Sequence, residues 1–144
     1  MSLILYTGGT FDLFHHGHFN FLSICKEITN GGKLVVALNT DEFVFKYKRI
    51  VPVDNYLKRQ EKLLNSKLVD QVIENIGGQD SKPCILSVVP DFIAIGSDWA
   101  TKNYYEQMNF TQEWLDNNNI GLIYIPYTRG ISSTQLRKEY EEKN

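Results

Sequence analysis

Two imidazoles at the spacing His15-His16-Gly17-His18, just beyond a Thr10-Phe11-Asp12 run, are the residues of this 144-residue chain best suited to chemistry. An imidazole can donate or accept and changes charge near neutral pH, so a pair of them can follow a phosphate whose negative charge grows during a reaction. Gly8 and Gly9 stand just before them, and glycine lets a backbone come close to an anion. A helix starting here would add amides that lack intrahelical partners, together with the positive end of its dipole. Phosphate binding is the chemistry these residues support.

Two further groups point the same way once they are placed. Lys46-Tyr47-Lys48-Arg49 is the densest basic cluster in the chain, and Ser132-Ser133-Thr134-Gln135 fits a capping box, a hydroxyl followed three residues later by Gln. Alone, the first reads as a solvated loop and the second as an ordinary helix cap. Their positions in a fold decide otherwise.

The elements that must position these groups follow from the apolar pattern. Leu3–Tyr6 is short and apolar, a buried first strand of the kind found in parallel sheets. Phe21, Ile24, Cys25 and Ile28 form the stripe of a helix, ended by Asn30-Gly31-Gly32 as a left-handed cap. Lys33–Asn39 is a second buried strand, which completes a βαβ unit with a right-handed crossover. The Lys46–Arg49 run then falls at the carboxyl edge, where open α/β sheets bind their ligands.

Pro52 and Asp54 open a helix over Asn55–Ser66, with Leu57, Leu64 and Leu68 on one side and Arg59 and Lys62 among its polar residues. Val69–Ile73 is a third strand, Cys84–Val89 a brief helical or irregular stretch, and Asp91–Ile95 a fourth strand that delivers Gly96-Ser97-Asp98-Trp99. A helix over Tyr104–Asn117, with Tyr105, Met108 and Trp114 as core contacts, and a fifth strand over Ile120–Ile125 precede the last helix. The class is α/β, a Rossmann-like doubly wound sheet of five parallel strands with helices on both faces, formed by residues 1–144 as one domain.

Composition narrows the function. A chain of this length buries a core without disulfides or structural metal, and a net charge of -2 gives no broad footprint for nucleic acid. Cys25 and Cys84 sit far apart in apolar contexts with no zinc spacing, as buried hydrophobes in a reducing compartment. The first strand begins without a basic leader, and no apolar run approaches membrane-spanning length. The expectation is a soluble cytoplasmic protein with neither nucleic acid nor membrane as partner.

The stretch GTFDLFHHGH resembles the signature of the cytidylyltransferase-like nucleotidyltransferase family, with His15, Gly17 and His18 as its H-x-G-H and His16 in the variable place. Thr128 to Thr134 resembles the family's second signature, R-T-x-G-I-S-T-T. The likeness runs along nearly the whole chain, through TDEF and its lysine cluster, the Arg59 helix, VDQVI, GSDW and GISST, and is strongest toward members that act on glycerol 3-phosphate.

This resemblance implies a nucleotidyltransferase domain that moves a cytidylyl group from CTP to a phosphorylated alcohol, glycerol 3-phosphate first, releasing pyrophosphate and forming a CDP-alcohol. His15, His18, Lys46 and Lys48 would be catalytic. Gly9, Thr10, Phe11, Gly17, Arg59, Asp98, Tyr127, Thr128, Arg129, Gly130, Ile131, Ser132, Ser133 and Thr134 would hold the nucleotide, and Asp12, Lys46 and Lys82 the acceptor. Mg²⁺ would arrive with CTP, bound largely by phosphate and water rather than by protein ligands. A homodimer meeting near Lys67–Asp70 is also implied, although the apolar residues there suit a core equally well.

Three departures keep other readings open. Tyr127 stands where the second signature begins with arginine, Arg129 lying two residues later; Lys67 replaces an arginine beside Val69-Asp70; and Gln107–Trp114 lengthens the fourth crossover. One alternative is another nucleotide or acceptor, such as a heptose phosphate, to whose enzymes Arg49–Val53 has some likeness, another polyol phosphate, or a phosphonate. From a different class, a non-catalytic nucleotide-binding regulator is favoured by Tyr127 and opposed by retention of both histidines and both lysines.

Overall fold

The strands β1 (Ile4–Gly9), β2 (Lys33–Asn39), β3 (Gln71–Asn75), β4 (Phe92–Gly96) and β5 (Gly121–Ile125) pair in the order β3-β2-β1-β4-β5, every pairing parallel. The computed structural model describes residues 2–77, 80–97, 103–126 and 133–143, with only the backbone of 133, 134 and 143. Parallel neighbours need crossovers, and helices supply them. These are α1 (His16–Ile28) after β1, α2 (Asp41–Lys48) and α3 (Tyr56–Asn65) after β2, α4 (Lys82–Val88) after β3, and α5 (Tyr104–Met108) and α6 (Gln112–Asn117) after β4. A last helix, α7 (Ser133–Lys143), follows β5.

Strand alternation sorts the core into two layers. Leu5, Leu34, Val36, Leu38 and Ala94 meet Leu22 and Cys25 of α1 and Leu63 of α3 on one face. Tyr6, Ala37, Ile93 and Ile95 meet Ile85 of α4, Tyr104 of α5 and Leu115 of α6 on the other. Helices therefore cover both faces, as expected. The chain leaves β1 toward β2 and β3 on one side and returns to β4 and β5 on the other, so its direction reverses between β1 and β4. At such a reversal the loops diverge and open a crevice at the carboxyl edge.

Several elements differ from their sequence expectations. β1 runs past Tyr6 through Gly8 and Gly9, which pair in register with Ala37 and Leu38, so the glycines end the strand. In α1 the buried positions are Leu22 and Cys25, whereas Ile24 is 38% exposed. The basic run is no loop: Thr40 caps α2 by accepting from Phe43 N (3.2 Å), and Lys46 and Lys48 stand in its last turn. β3 begins two residues late because the Asp70 carboxylate first captures Leu34 N (2.8 Å) and Lys26 (2.7 Å).

The sharpest difference is in α3, whose faces are exchanged. Leu57 and Leu64 are exposed, and Arg59 is fully buried. The 104–117 stretch is two helices, broken where Asn109 takes a left-handed conformation (φ 57°) and Thr111 caps the second. Tyr104, Phe110 and Leu115 are its buried residues, with Tyr105, Met108 and Trp114 packed around them. Leu68 and Val69 pack into the chain's own core.

Candidate active site

The loop from β1 to α1 is held in a conformation that few side chains adopt. Phe11 and Leu13 both have positive φ (52° and 51°), which costs about 1 kcal/mol or more at a non-glycine residue and persists where the surroundings enforce it. Asp12, between them, provides that enforcement. Its buried carboxylate accepts from Val53 N (2.8 Å), Asp54 N (2.9 Å) and Leu13 N (3.0 Å). The carboxylate thereby joins the loop to the start of α3, which is the role the structure shows for Asp12. The Phe11 ring closes over Gly9, where a Cβ would come within 2.8 Å of it, and stands edge-on to His18 at 5.2 Å.

The loop ends as a helix cap. His15, with extended backbone (φ -136°), accepts at Nδ1 from Gly17 N (3.0 Å) and His18 N (3.4 Å), while His15 N donates to His18 Nδ1 (3.3 Å). This is a capping box built from two imidazoles. Two amides of the first turn, those of Gly17 and His18, are thus satisfied by a side chain. Because each Nδ1 accepts, each neutral ring carries its proton on Nε2.

The two rings stack with centroids 3.7 Å apart and planes 21° from parallel. Burial lowers the His15 pKa and the His16 charge adds to the effect; burial also pushes His18 down to about 3, with His15 adding. At neutral pH the site therefore offers neutral N–H donors.

Arg59 is fully buried, and its guanidinium is engaged by other parts of the chain. Its Nε donates to Asp54 O (3.0 Å), its Nη1 to Thr10 O (2.9 Å) and Asn39 O (2.8 Å), and its Nη2 pairs with Asp41. A buried cation needs this many acceptors. With these partners Arg59 is a clamp joining the carboxyl ends of β1 and β2 to the start of α2. Thr10, whose carbonyl it holds, also accepts at Oγ1 from Asn39 Nδ2 (2.9 Å).

A second arginine was not singled out from the sequence. Arg137 of α7 brings Nη1 to 3.7 Å from Asp12 Oδ2 and pairs through Nε with Glu141 (3.2 Å). That Nη1 atom is buried without a hydrogen-bond partner among the described residues. The start of α7 therefore lies beside the loop that carries the histidines. Helical spacing was the available signal, because Arg137 follows Ser133 and Thr134 by four and three residues and so shares their face.

The expected lysines divide. Lys46 and Lys48 are exposed on α2, with no ion pair among the described residues. Lys82 is instead engaged, donating to Asn109 O (2.7 Å) and pairing with Asp80 (2.9 Å). It lines a cavity of about 560 Å³ with Tyr105, Phe110 and Trp114. Asp98 and residues 127–132 lie outside the described residues, and of Ser133 and Thr134 only the backbone that opens α7 is described.

Among the described residues no group of three His, Cys, Asp or Glu side chains could hold a metal ion, and no helix is long and apolar enough to cross a membrane.

Known proteins resemble this chain in sequence and in fold. The sequence model of a family described as cytidylyltransferase-like matches residues 6–139. A glycerol-3-phosphate cytidylyltransferase of Bacillus spizizenii is 35% identical over 133 residues, covering 92% of this chain and 93% of that protein. An FAD synthase of Korarchaeum cryptofilum is 38% identical over 131 residues, covering 89% and 84%. In fold, the chain is similar to a lipopolysaccharide core biosynthesis protein from Thermoplasma volcanium GSS1, with a TM-score of 0.69 at 23% identity, covering 89% of this chain and 98% of that one.

Proposed function

This chain belongs to the cytidylyltransferase-like family of nucleotidyltransferases, and we propose that it transfers the cytidylyl group of CTP to a phosphorylated alcohol, glycerol 3-phosphate first among them. An oxygen of the acceptor's phosphate attacks the α-phosphorus, the bond from that phosphorus to the bridging oxygen breaks, and pyrophosphate leaves. A phosphate monoester is already ionised, so no general base is needed. The protein must instead place two anions in line and offset their repulsion.

The observation that carries this reading is the reciprocal cap of His15 and His18, which fixes two neutral Nε2–H donors side by side at the carboxyl end of β1. Such donors bind most strongly where negative charge accumulates, which favours the pentacoordinate species over the bound substrates. Lys46 and Lys48 draw the acceptor's phosphate toward the α-phosphate. Arg137 and the opening turn of α7 hold the departing pyrophosphate. Mg²⁺ bound through the nucleotide's own phosphates and water would neutralise part of the triphosphate charge, which suits a site with no cluster of acidic ligands among its described residues.

A second reading is adenylyl transfer to a flavin phosphate. The similarity to an FAD synthase and the aromatic cavity of Tyr105, Phe110 and Trp114 favour it, since a planar ring would stack there. Pyrophosphate release from CTP, ATP, GTP and UTP, each offered glycerol 3-phosphate, a heptose phosphate and FMN, separates the two. Release with CTP and glycerol 3-phosphate is expected. Release confined to ATP and FMN would replace the first reading with the second, and CTP binding without release from any pair would point to a regulator.

A further inference from the structure

The carboxyl edge of β1, β2 and β3 carries a line of side-chain hydrogen bonds that the chemistry above leaves unused. Gly77 N donates to Asn75 Oδ1 (3.1 Å), Asn75 Nδ2 to Asn39 Oδ1 (3.0 Å), and Asn39 Nδ2 to Thr10 Oγ1 (2.9 Å). Asn39 and Asn75 are partners in the β2–β3 register, each the last residue of its strand, and Thr10 directly follows β1. The line therefore crosses three adjacent strand ends.

Its direction is set at one end. A backbone amide only donates, so the Asn75 atom facing Gly77 must be the carbonyl oxygen, and its NH₂ group must face Asn39. Asn39 then has one way round as well, oxygen toward Asn75 and NH₂ toward Thr10. The Thr10 hydroxyl must accept, and its single proton is left to be donated elsewhere. Gly77 is itself fixed: its φ is +77°, and a Cβ there would lie 2.5 Å from the Phe43 ring.

We infer that Asn39 and Asn75 are positioning residues that commit the Thr10 hydroxyl to donating toward the phosphate oxygens of the nucleotide. With the amides reversed, Thr10 would give its proton to Asn39 and turn lone pairs toward an anion. The inference rests on the reading of Thr10 as a nucleotide contact and adds what determines its polarity.

The test is a double-mutant cycle on ligand binding by calorimetry, with CTP and inorganic triphosphate as separate probes. Asn39→Asp puts an acceptor where the NH₂ group stood and draws the Thr10 proton inward; Thr10→Val removes the hydroxyl at nearly constant shape. The new charge weakens anion binding in both backgrounds, so only the difference between backgrounds reports on polarity. Asn39→Asp should weaken both probes by about tenfold more when Thr10 is present than when it is Val. Equal weakening in the two backgrounds would overturn the inference.

If the unmodified chain bound triphosphate but no nucleotide, and the cycle still showed coupling, the nucleotide reading would fail while the polarity relay stood. CTP binding with an additive cycle would mean the reverse, and binding of neither probe would overturn both. Should Asn39→Asp lose its native circular dichroism, Asn75→Asp enters the same cycle one link further out, with the same expected sign and the same overturning result.

Discussion

His15 and His18 each accept, at ring Nδ1, a hydrogen bond from the other's backbone amide, and their imidazoles stack 3.7 Å apart. The same two atoms that start a helix thus fix which nitrogen of each ring carries its proton. Structural and chemical roles coincide in one contact.

They can be separated by substitution. Asparagine is a good N-cap but carries no donor at the place of Nε2, so His15→Asn should preserve thermal stability while turnover falls by two powers of ten or more, the scale on which a single transition-state donor matters. His18→Ala should lose turnover on the same scale with the fold retained. Near-normal turnover in either variant, measured as pyrophosphate release, would remove that ring from the reaction.

Acid should reveal the buried ring. His18 is held down to about 3 in the folded chain, by burial first and by His15 second, against an ordinary 6.5. Between those values the unfolded chain binds more protons, so the stability contribution is complete above about pH 6.5 and is lost as pH falls, by up to about 1.4 kcal/mol per unit. His15 is shifted in the same direction and steepens the loss. Denaturant unfolding followed from about pH 7 to about pH 4 should decline more gently in His18→Asn than in the unmodified chain; parallel declines would show that the ring titrates normally.

Arg59 should govern stability before chemistry. Arg59→Met leaves Asp41 and the carbonyls of Thr10, Asn39 and Asp54 without their shared donor, at a cost of about 3–5 kcal/mol. Arg59→Lys retains charge but cannot reach all four acceptors and should also destabilise. A midpoint in urea close to that of the unmodified chain would show that the clamp is dispensable.

Lys46 is the converse case, exposed and without an ion pair among the described residues. Lys46→Ala should leave the unfolding midpoint unchanged and raise KM for the acceptor roughly tenfold, the range of one charge-assisted contact, with little change in KM for the nucleotide. An unchanged acceptor KM would take Lys46 out of that site.

Local pattern was enough to place the βαβ start and the histidine turn, because each rests on neighbours in sequence, but not the run of β1 through Gly8 and Gly9, whose pairing with β2 lies across the sheet. What could not be read were contacts made across the fold. A polar arginine at an apparently outward position of α3 is buried because Thr10, Asn39, Asp41 and Asp54 converge on it from other elements. The pairing of Arg137 with Asp12 depends on where α7 docks, and the Asn39–Asn75 line on the β2–β3 register. Lys46 and Lys48 read as loop because their charges hide the turn of helix that Thr40 caps and Val44 buries.

The stretch that bears those lysines is tethered at both ends, with Val44 buried and Tyr47 Oη reaching Gln107 Oε1 (3.5 Å) between them. Arg59 holds Asn39 and Asp41 at one end, Asp12 holds Val53 and Asp54 at the other, and residues 45–51 are all exposed. Such a strap can change in length and lettering while the hydrogen bonds that hold its ends stay as they are. Under the proposed role of Lys46, the acceptor would then be the most easily rewritten part of this chemistry.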